Sequence, residues 1–192
     1  LGGGLRRGDL ICIGGEIGCG KSSLALAMAL RMAQAGTTTA FLTAEMSVER
    51  VLERSLAIEG RARVDDIRGG TLDELTRASV GAAALRLRDQ APVFEALPTG
   101  SSGAIGELLR RTVDLEVAFV DPLQALALGD RPLEEDLASA VRTLKQLAVD
   151  LDIAVVLTTH LASPLPGRAD LRPTLEDFGA LVAQVSSLGP QA

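Results

Sequence analysis

The stretch GEIGCGKS, from Gly15 to Ser22, decides the fold of this chain. It matches the pattern Gly-x-x-x-x-Gly-Lys-Ser in full, and it lies between a short apolar segment, 9–14, and an aliphatic one, 22–35. The first indicates a buried strand and the second a buried helix, apolar on nearly all sides; a phosphate-binding loop requires this setting. Glycines let such a loop curl tightly, so that backbone N–H groups point at phosphate oxygens beside the positive end of the helix dipole.

The loop predicts a binding site for the phosphates of a nucleotide and for Mg²⁺. A lysine in the position of Lys21 contacts the β- and γ-phosphates of a nucleotide, and a hydroxyl in the position of Ser22 binds the metal ion. A chance glycine-rich turn is disfavoured, because strand, loop and helix all occur in order. The residues predicted to bind the nucleotide are Gly15, Glu16, Ile17, Gly18, Cys19, Gly20, Lys21, Ser22 and Ser23.

The composition narrows the class of protein. Of the 192 residues, 47% are hydrophobic and 2% aromatic, and the net charge is −6. We therefore expect one sizeable aliphatic core, and we disfavour a polybasic DNA clamp or a base-stacking single-strand binder. The two cysteines, Cys12 and Cys19, form no disulfide framework and favour a reducing, cytoplasmic setting. No apolar run has the length of a membrane span, so we expect no membrane partner.

Alternating strand-like and helix-like segments predict an α/β fold, with a mostly parallel, twisted sheet covered by helices on both faces. We interpret residues 1–192 as a single domain with a frayed tail at 186–192. Because the sequence starts at Leu1 rather than methionine, we expect the domain to come from a longer protein. The predicted strands are 9–14, 38–43, 92–97, 116–120 and 153–158. The predicted helices are 22–35, 48–59 capped by Ser47, 71–89 opened by a Thr71–Glu74 capping box, 104–113, 133–150 and a stretch from Thr174.

Two carboxylates at strand ends are candidates for the metal site and for the base that activates water. Asp121 ends the strand 116–120 and is assigned to Mg²⁺, usually through water; a carboxylate that caps the turn before Pro122 is the alternative. Since Pro122 fills the position in which many ATPases place a catalytic glutamate, the base must come from elsewhere. Glu45 follows the strand 38–43 and would reach the same edge of a parallel sheet. A solvated glutamate near a helix N-terminus is the open alternative.

His160, the only histidine, follows the strand 153–158 in the sequence Thr158-Thr159-His160. A polar donor at this strand end can touch the γ-phosphate and report its loss to the loop that follows. A surface histidine without such a role is the alternative, and the residues alone favour neither interpretation.

Several stretches together resemble one family. They are LGGGLRRGDLICIGG (1–15), FLTAEMSVERVLERSLAIEG (41–60), IRGGTLDEL (67–75), VDPLQAL (120–126), LKQLAVDLDIAVVLTTHL (144–161) and RPTLEDF (172–178). In these stretches the chain is similar to the C-terminal motor domain of DnaB-type replicative DNA helicases, within the RecA-like P-loop ATPases. The similarity covers nearly the whole chain, and its Glu-Met-Ser after a strand is fairly specific to that family.

The resemblance implies a catalytic set of Lys21, Glu45 and His160. Glu45 would activate the attacking water, and His160 would sense the γ-phosphate in the position where the bacterial family usually has Gln. Pro122 stands where the family usually has Tyr, which indicates a divergent member.

The resemblance also implies an activity and partners. It implies an ATP-dependent DNA helicase whose RecA-like domains form a homo-oligomeric, hexameric ring and couple ATP hydrolysis to translocation on single-stranded DNA and to duplex unwinding. The candidate DNA loops are Ser163 to Pro173, which includes Arg168 and Arg172, and the segment around Gly179. A solvated loop without DNA contact is the alternative for the two arginines.

Departures from the family pattern leave other functions open. Asp177 is followed by Phe178-Gly179-Ala180 rather than by Arg-Glu-Ser-Gly, and the later strand pair with its Lys-x-Arg finger is missing. We therefore expect truncated C-terminal strands and slow hydrolysis by this chain alone, since such a finger contributes about 10³–10⁵ in rate. A regulatory or recombination-accessory ATPase of the RecA, KaiC or RadA type is one alternative. A non-catalytic nucleotide-binding remnant is another, and a small-molecule kinase is disfavoured because no acceptor signature is evident.

Overall fold

The structure is a computed structural model that describes residues 4–98, 102–126 and 132–161. The strands are β1 (Leu10–Gly15), β2 (Thr39–Thr43), β3 (Val93–Ala96), β4 (Val117–Asp121) and β5 (Ala154–His160). The helices are α1 (Lys21–Gln34), α2 (Val48–Gly60), α3 (Val64–Gly69), α4 (Glu74–Gln90), α5 (Ser102–Arg111) and α6 (Leu133–Asp150), with a 3-10 turn at Leu123–Leu126. The helix predicted from Thr174, the tail 186–192 and both candidate DNA loops lie outside the described residues.

The sheet is parallel throughout, in the order β1-β5-β4-β2-β3. Parallel neighbours need long crossover connections, and helices supply them between successive strands. The register pairs Gly15 with His160 and Thr43 with Asp121. The carboxyl ends of β1, β2, β4 and β5 therefore meet at one edge, with Asp121 on the central strand. The predicted α/β class with a parallel sheet is confirmed.

The strands of the sheet's centre are buried on both faces, because helices cover the sheet on either side. On one face, α5 and α6 pack over alternate strand residues such as Leu42, Val120 and Leu157. On the other face, α1, α2 and α4 pack over the intervening residues, among them Phe41 and Phe119, whose ring centroids lie 6.2 Å apart. The side-chain period of two along each strand thus divides the apolar residues between two cores.

Local contacts correct the predicted start of α4 and add α3. The Asp73 carboxylate caps α4 by accepting a hydrogen bond from the Thr76 N–H at 2.9 Å. The Thr71 hydroxyl donates instead to Asp66, so the predicted Thr71–Glu74 capping box is wrong. The sequence does not predict α3, because a helix of 6 residues with no buried side chain leaves no apolar periodicity to recognise.

Burial and pairing correct other expectations. The helix α1 is not buried on all sides: it buries Leu26 and Leu30, whereas Leu24 is 53% exposed. The strand β5 continues past its predicted end at 158, because pairing with β1 extends to His160. Within the described residues, no helix combines the length and the apolar character needed to cross a membrane.

Candidate active site

The phosphate loop joins the end of β1 to the start of α1. Gly18 and Gly20 have positive φ angles, 82° and 94°, which residues with side chains rarely adopt. A Cβ on Gly15 would lie 2.6 Å from the Cys19 sulfur, so any other residue there would push the Cys19 side chain aside. The glycines of the motif therefore allow a tight loop that closes on Lys21, the first residue of α1.

The Lys21 side chain lies within this loop, and only 7% of the residue is exposed. Its Nζ donates to the carbonyl oxygens of Gly15 at 2.9 Å and Glu16 at 2.7 Å, and it lies 3.9 Å from the Cys19 sulfur. A buried ammonium needs such acceptors, because burying a charge without partners is costly. The loop thus holds a positive charge at a helix N-terminus, where an anion is favoured.

Asp121 is fully buried at the end of β4, beside the loop. Its Oδ1 accepts hydrogen bonds from the Ser22 hydroxyl at 2.9 Å and from the Thr158 hydroxyl, whereas Oδ2 has no partner within the described ranges. Burial raises the pKa of this carboxyl; the two hydroxyl bonds oppose the rise, and the nearby charge of Glu45 adds to it. The site therefore offers one free carboxylate oxygen in surroundings that favour a neutralising cation.

The donor set around Asp121 fits Mg²⁺ bound together with a nucleotide. Mg²⁺ prefers oxygen ligands, and proteins usually hold it by one or two groups, with phosphate oxygens and water completing its shell. The unpartnered Oδ2 of Asp121 and the adjacent Ser22 hydroxyl are groups of this kind. In the part of the chain that the structure describes, no cluster of three or more His, Cys, Asp or Glu side chains could hold a metal. A metal ion at Asp121 would therefore depend on phosphate and water for its remaining ligands.

Glu45 and His160 meet at the same edge of the sheet. Glu45 follows β2 and His160 ends β5, and Glu45 Oε1 lies 3.1 Å from His160 Nε2. Because β2 and β5 flank β4, the pair bridges the strand that ends at Asp121. The Glu45 side chain is 43% exposed, so water reaches its carboxylate. The other ring nitrogen of His160, Nδ1, is buried and has no hydrogen-bond partner among the described residues.

The sequence assigns no role to Gln124 or Thr43, which the structure adds to this edge. Gln124 Nε2 donates to the Thr159 hydroxyl at 2.8 Å and to the His160 carbonyl at 3.3 Å, and its Oε1 accepts from the His160 N–H at 3.3 Å. Thr43 pairs in register with Asp121, and its buried hydroxyl oxygen has no partner within the described ranges. A polar residue at a strand end is the signal that could have found Thr43, while Gln124 lies on a turn that the sequence does not predict.

The remaining residues predicted to bind the nucleotide lie toward solvent. Ile17 is 84% exposed, and Ser23 is exposed on the first turn of α1. Glu16 contributes its carbonyl oxygen to Lys21 and leaves its side chain exposed. Nucleotide contacts in this part of the loop would therefore come mainly from the backbone, as the geometry of a phosphate loop requires.

Residues 1–180 match the model of a protein family described as the DnaB-like helicase C terminal domain. The fold is also that of solved structures. A solved ATPase domain superimposes with a TM-score of 0.86 at 20% identity, which covers 95% of this chain and 67% of that one. A DnaB-like replicative helicase, whose structure was solved to study its interactions with primase, gives 0.85 at 20% identity over 92% of this chain and 44% of that one. These neighbours confirm the predicted RecA-like ATPase fold.

Curated relatives agree with the family match. The chain is 29% identical to the replicative DNA helicase DnaB of Treponema pallidum (strain Nichols), over 94% of this chain and 43% of that protein. It is 32% identical to the DnaB of Rhodothermus marinus, over 93% of this chain and 20% of that protein. The chain thus spans less than half the length of the relatives that it matches. On the match over residues 1–180, the chain belongs to the DnaB-like helicase C-terminal domain family.

Proposed function

We propose that this chain is the ATP-binding and ATP-hydrolysing motor domain of a DnaB-like replicative DNA helicase. The observation that carries the proposal is the 3.1 Å contact of Glu45 with His160 across the end of β4, beside the bonded pair of Ser22 and Asp121. A phosphate-binding lysine, a metal-binding hydroxyl and carboxylate, a solvent-accessible base and a polar sensor then share one edge of the sheet. Hydrolysis of a nucleoside triphosphate requires these groups.

Each residue has a role that follows from its surroundings. Lys21, now bonded to two loop carbonyls, would exchange these acceptors for phosphate oxygens. Ser22 and Asp121 would hold Mg²⁺, which neutralises negative charge on the phosphates when it is bound. Glu45 is the general base, because its carboxylate is open to water. His160 would release Glu45 and donate a hydrogen bond to the γ-phosphate.

The partners of the domain belong to the same proposal. Relatives named as replicative DNA helicases support an action on DNA. In this proposal, the domain works in a hexameric ring of identical subunits and couples ATP hydrolysis to translocation on single-stranded DNA. The proposed DNA loops, Ser163 to Pro173 and the segment around Gly179, lie outside the described residues. If Arg168 and Arg172 bind DNA phosphates, the affinity for DNA should fall as salt is added, and removal of both arginines should weaken it.

Measurement of ATP hydrolysis with and without single-stranded DNA tests the proposal, with Lys21→Ala as the inactive control. We expect Mg²⁺-dependent turnover above that of Lys21→Ala and a further increase when DNA is added. High protein concentration is needed, because a ring forms only when its subunits associate. Turnover at the level of Lys21→Ala in every condition would overturn the hydrolytic function.

One observation favours a second candidate function. The sequence Phe178-Gly179-Ala180 replaces the Arg-Glu-Ser-Gly of the family and removes a segment that is associated with DNA contact. An accessory or regulatory ATPase would keep the nucleotide site and lose the motor. Robust hydrolysis that single-stranded DNA leaves unchanged is the result that would favour this second function.

A further inference from the structure

Gln124 makes an unusual set of contacts at the end of β5. Its amide bonds both backbone groups of one residue: Nε2 donates to the His160 carbonyl at 3.3 Å, and Oε1 accepts from the His160 N–H at 3.3 Å. The same Nε2 donates to the Thr159 hydroxyl at 2.8 Å. A side-chain amide carries a donor and an acceptor side by side, as a peptide group does, and can therefore pair with a residue in this way.

The position of Gln124 explains why this pairing is needed. The strand β5 runs further than its neighbour β4, since their register ends at the pair Val120 and Leu157. The other neighbour, β1, accompanies β5 up to His160 and accepts a hydrogen bond from Leu161 through the Gly15 carbonyl. On the β4 side, the backbone groups of His160 have no strand opposite them. Gln124, in the turn after Asp121, provides the missing partners for these part-buried groups, since backbone groups shielded from water require partners.

We propose that Gln124 is a positioning residue for His160. By pairing with the backbone of His160, the amide fixes the end of β5 and thereby sets where the imidazole stands relative to the Glu45 carboxylate. The proposal rests on the proposed function of His160 and Glu45 in hydrolysis. Among the described residues, the hydrogen bonds of the Gln124 side chain go to Thr159 and His160, and Gln124 acts through His160.

The connection also ties the sensor to the metal site. Gln124 lies in the 3-10 turn that begins two residues after Asp121, and the Thr158 hydroxyl bonds the carboxylate of Asp121 from the neighbouring strand. Side chains thus join the ends of β4 and β5 in both directions, Thr158 to Asp121 and Gln124 to Thr159 and His160. A displacement of His160 is resisted by Gln124, because the amide would lose both backbone bonds together.

Gln124→Met tests the inference, since methionine has a similar length and lacks the amide. We expect kcat for ATP to fall about tenfold, because small misplacements of catalytic groups cost this order of rate, with little change in nucleotide affinity. Gln146→Met is the matched control, because Gln146 is exposed on α6 and donates its hydrogen bond to Asp150 of the same helix. Gln124→Glu keeps the acceptor for the His160 N–H and can accept from the Thr159 hydroxyl, but it loses the bond to the His160 carbonyl, so an intermediate kcat is expected.

The same substitution in a His160→Ala protein separates a positioning role of Gln124 from a general structural role. Residues that act as a unit give non-additive losses, so Gln124→Met should cause no further loss of kcat in a His160→Ala protein. An equal loss in both backgrounds, or an unchanged kcat in Gln124→Met, would overturn the inference. If the wild-type chain itself hydrolyses ATP no faster than Lys21→Ala, the proposed function fails instead.

A spectroscopic readout is independent of activity. His160 is the only histidine, so its imidazole gives a single, unambiguous set of NMR signals. We expect Gln124→Met to shift these signals and Gln146→Met to leave them in place. Identical imidazole signals in Gln124→Met and the wild type would overturn the positioning role, whatever the rate of hydrolysis.

Discussion

Glu45 Oε1 and His160 Nε2 lie 3.1 Å apart, although 115 residues separate them in the sequence. Their contact spans the end of β4, where Asp121 is buried. The charges of the three residues interact through this arrangement, since Glu45 raises the pKa of Asp121 and His160 lowers it, after the larger effects of burial and hydroxyl bonds. A change in the contact between Glu45 and His160 would therefore change the pKa of Asp121, the proposed metal ligand.

The first prediction concerns the base. Glu45→Gln keeps the shape of the side chain and removes its ability to accept a proton, so we expect hydrolysis to fall by about 10²–10⁴ while nucleotide still binds. Steady-state turnover and equilibrium binding of a fluorescent nucleotide measure the two effects. Glu49→Gln is the control, because it makes the same chemical change at an exposed glutamate in the first turn of α2. The Ser47 hydroxyl lowers the pKa of Glu49, so this control also removes a charged carboxylate. Equal turnover in Glu45→Gln and Glu49→Gln would contradict the assignment of Glu45.

The second prediction concerns the stability of the protein as a function of pH. Burial raises the pKa of Asp121 above its ordinary value of 3.8. Below that ordinary value the carboxyl is protonated in both the folded and the unfolded state, and its favourable contribution to folding is fully present. As the pH rises through the higher folded pKa, this contribution is lost, because the unfolded state releases the proton more easily.

Asp121→Asn removes this dependence, since asparagine has no proton to lose. We expect its free energy of unfolding, measured in urea without Mg²⁺, to exceed that of the wild type at neutral pH and to approach it toward about pH 4. Hydrolysis should be abolished in the same variant, because the carboxylate that would hold Mg²⁺ is removed. Such a gain in stability at the cost of activity is common where an active site holds an unfavourable charge. A wild type that is more stable than Asp121→Asn at neutral pH would show that the two hydroxyl bonds outweigh burial.

Much of the fold and site could be predicted for a simple physical reason. In a parallel sheet all carboxyl ends share one edge, so Asp121, Glu45 and His160 could be placed together without knowledge of any contact. The phosphate loop marked that edge, because its strand and helix lie on either side of a motif with a fixed geometry.

What could not be predicted depends on contacts between elements. The bonds of Gln124 to Thr159 and His160 require the path of the turn after Pro122, which no periodicity encodes. The cap of α4 was misplaced because two polar residues compete there, and the Asp73 carboxylate reaches the Thr76 N–H while the Thr71 hydroxyl turns to Asp66. Local pattern cannot decide between such neighbours.

The third prediction concerns the two thiols. Cys19 is exposed in the phosphate loop, whereas burial raises the pKa of Cys12 to about 12. Since the thiolate is the reactive form, a maleimide at about pH 8 should modify Cys19 and spare Cys12 in the folded protein. Mass spectrometry identifies the modified residue, and ATP with Mg²⁺ should slow the reaction. Modification of a Cys19→Ser protein at the wild-type rate would contradict this order of reactivity.

The last prediction tests the close contact of α2 with α4. A Cβ on Gly60 would lie 2.7 Å from Val80 Cγ2 and 3.0 Å from Val80 Cα, so Gly60→Ala forces the two helices apart. We expect it to lower the free energy of unfolding by about 1–3 kcal/mol. Gly81→Ala is the matched control within α4, because nothing lies within 4 Å of a Cβ there. Gly81→Ala should raise the free energy of unfolding by about 0.5–1 kcal/mol, because glycine within a helix is less favourable than alanine.

Both substitutions add the same methyl group, so opposite signs of the change in unfolding free energy would report the space around each added Cβ. Gly60 is the last residue of α2, at the opposite end of that helix from Glu45, so folded Gly60→Ala should hydrolyse ATP at the wild-type rate. Urea unfolding measures the free energies, and turnover per folded molecule measures the rate. A stability gain in both variants would mean that α2 and α4 do not approach as closely as Gly60 allows, because an added methyl group would then meet open space on either helix.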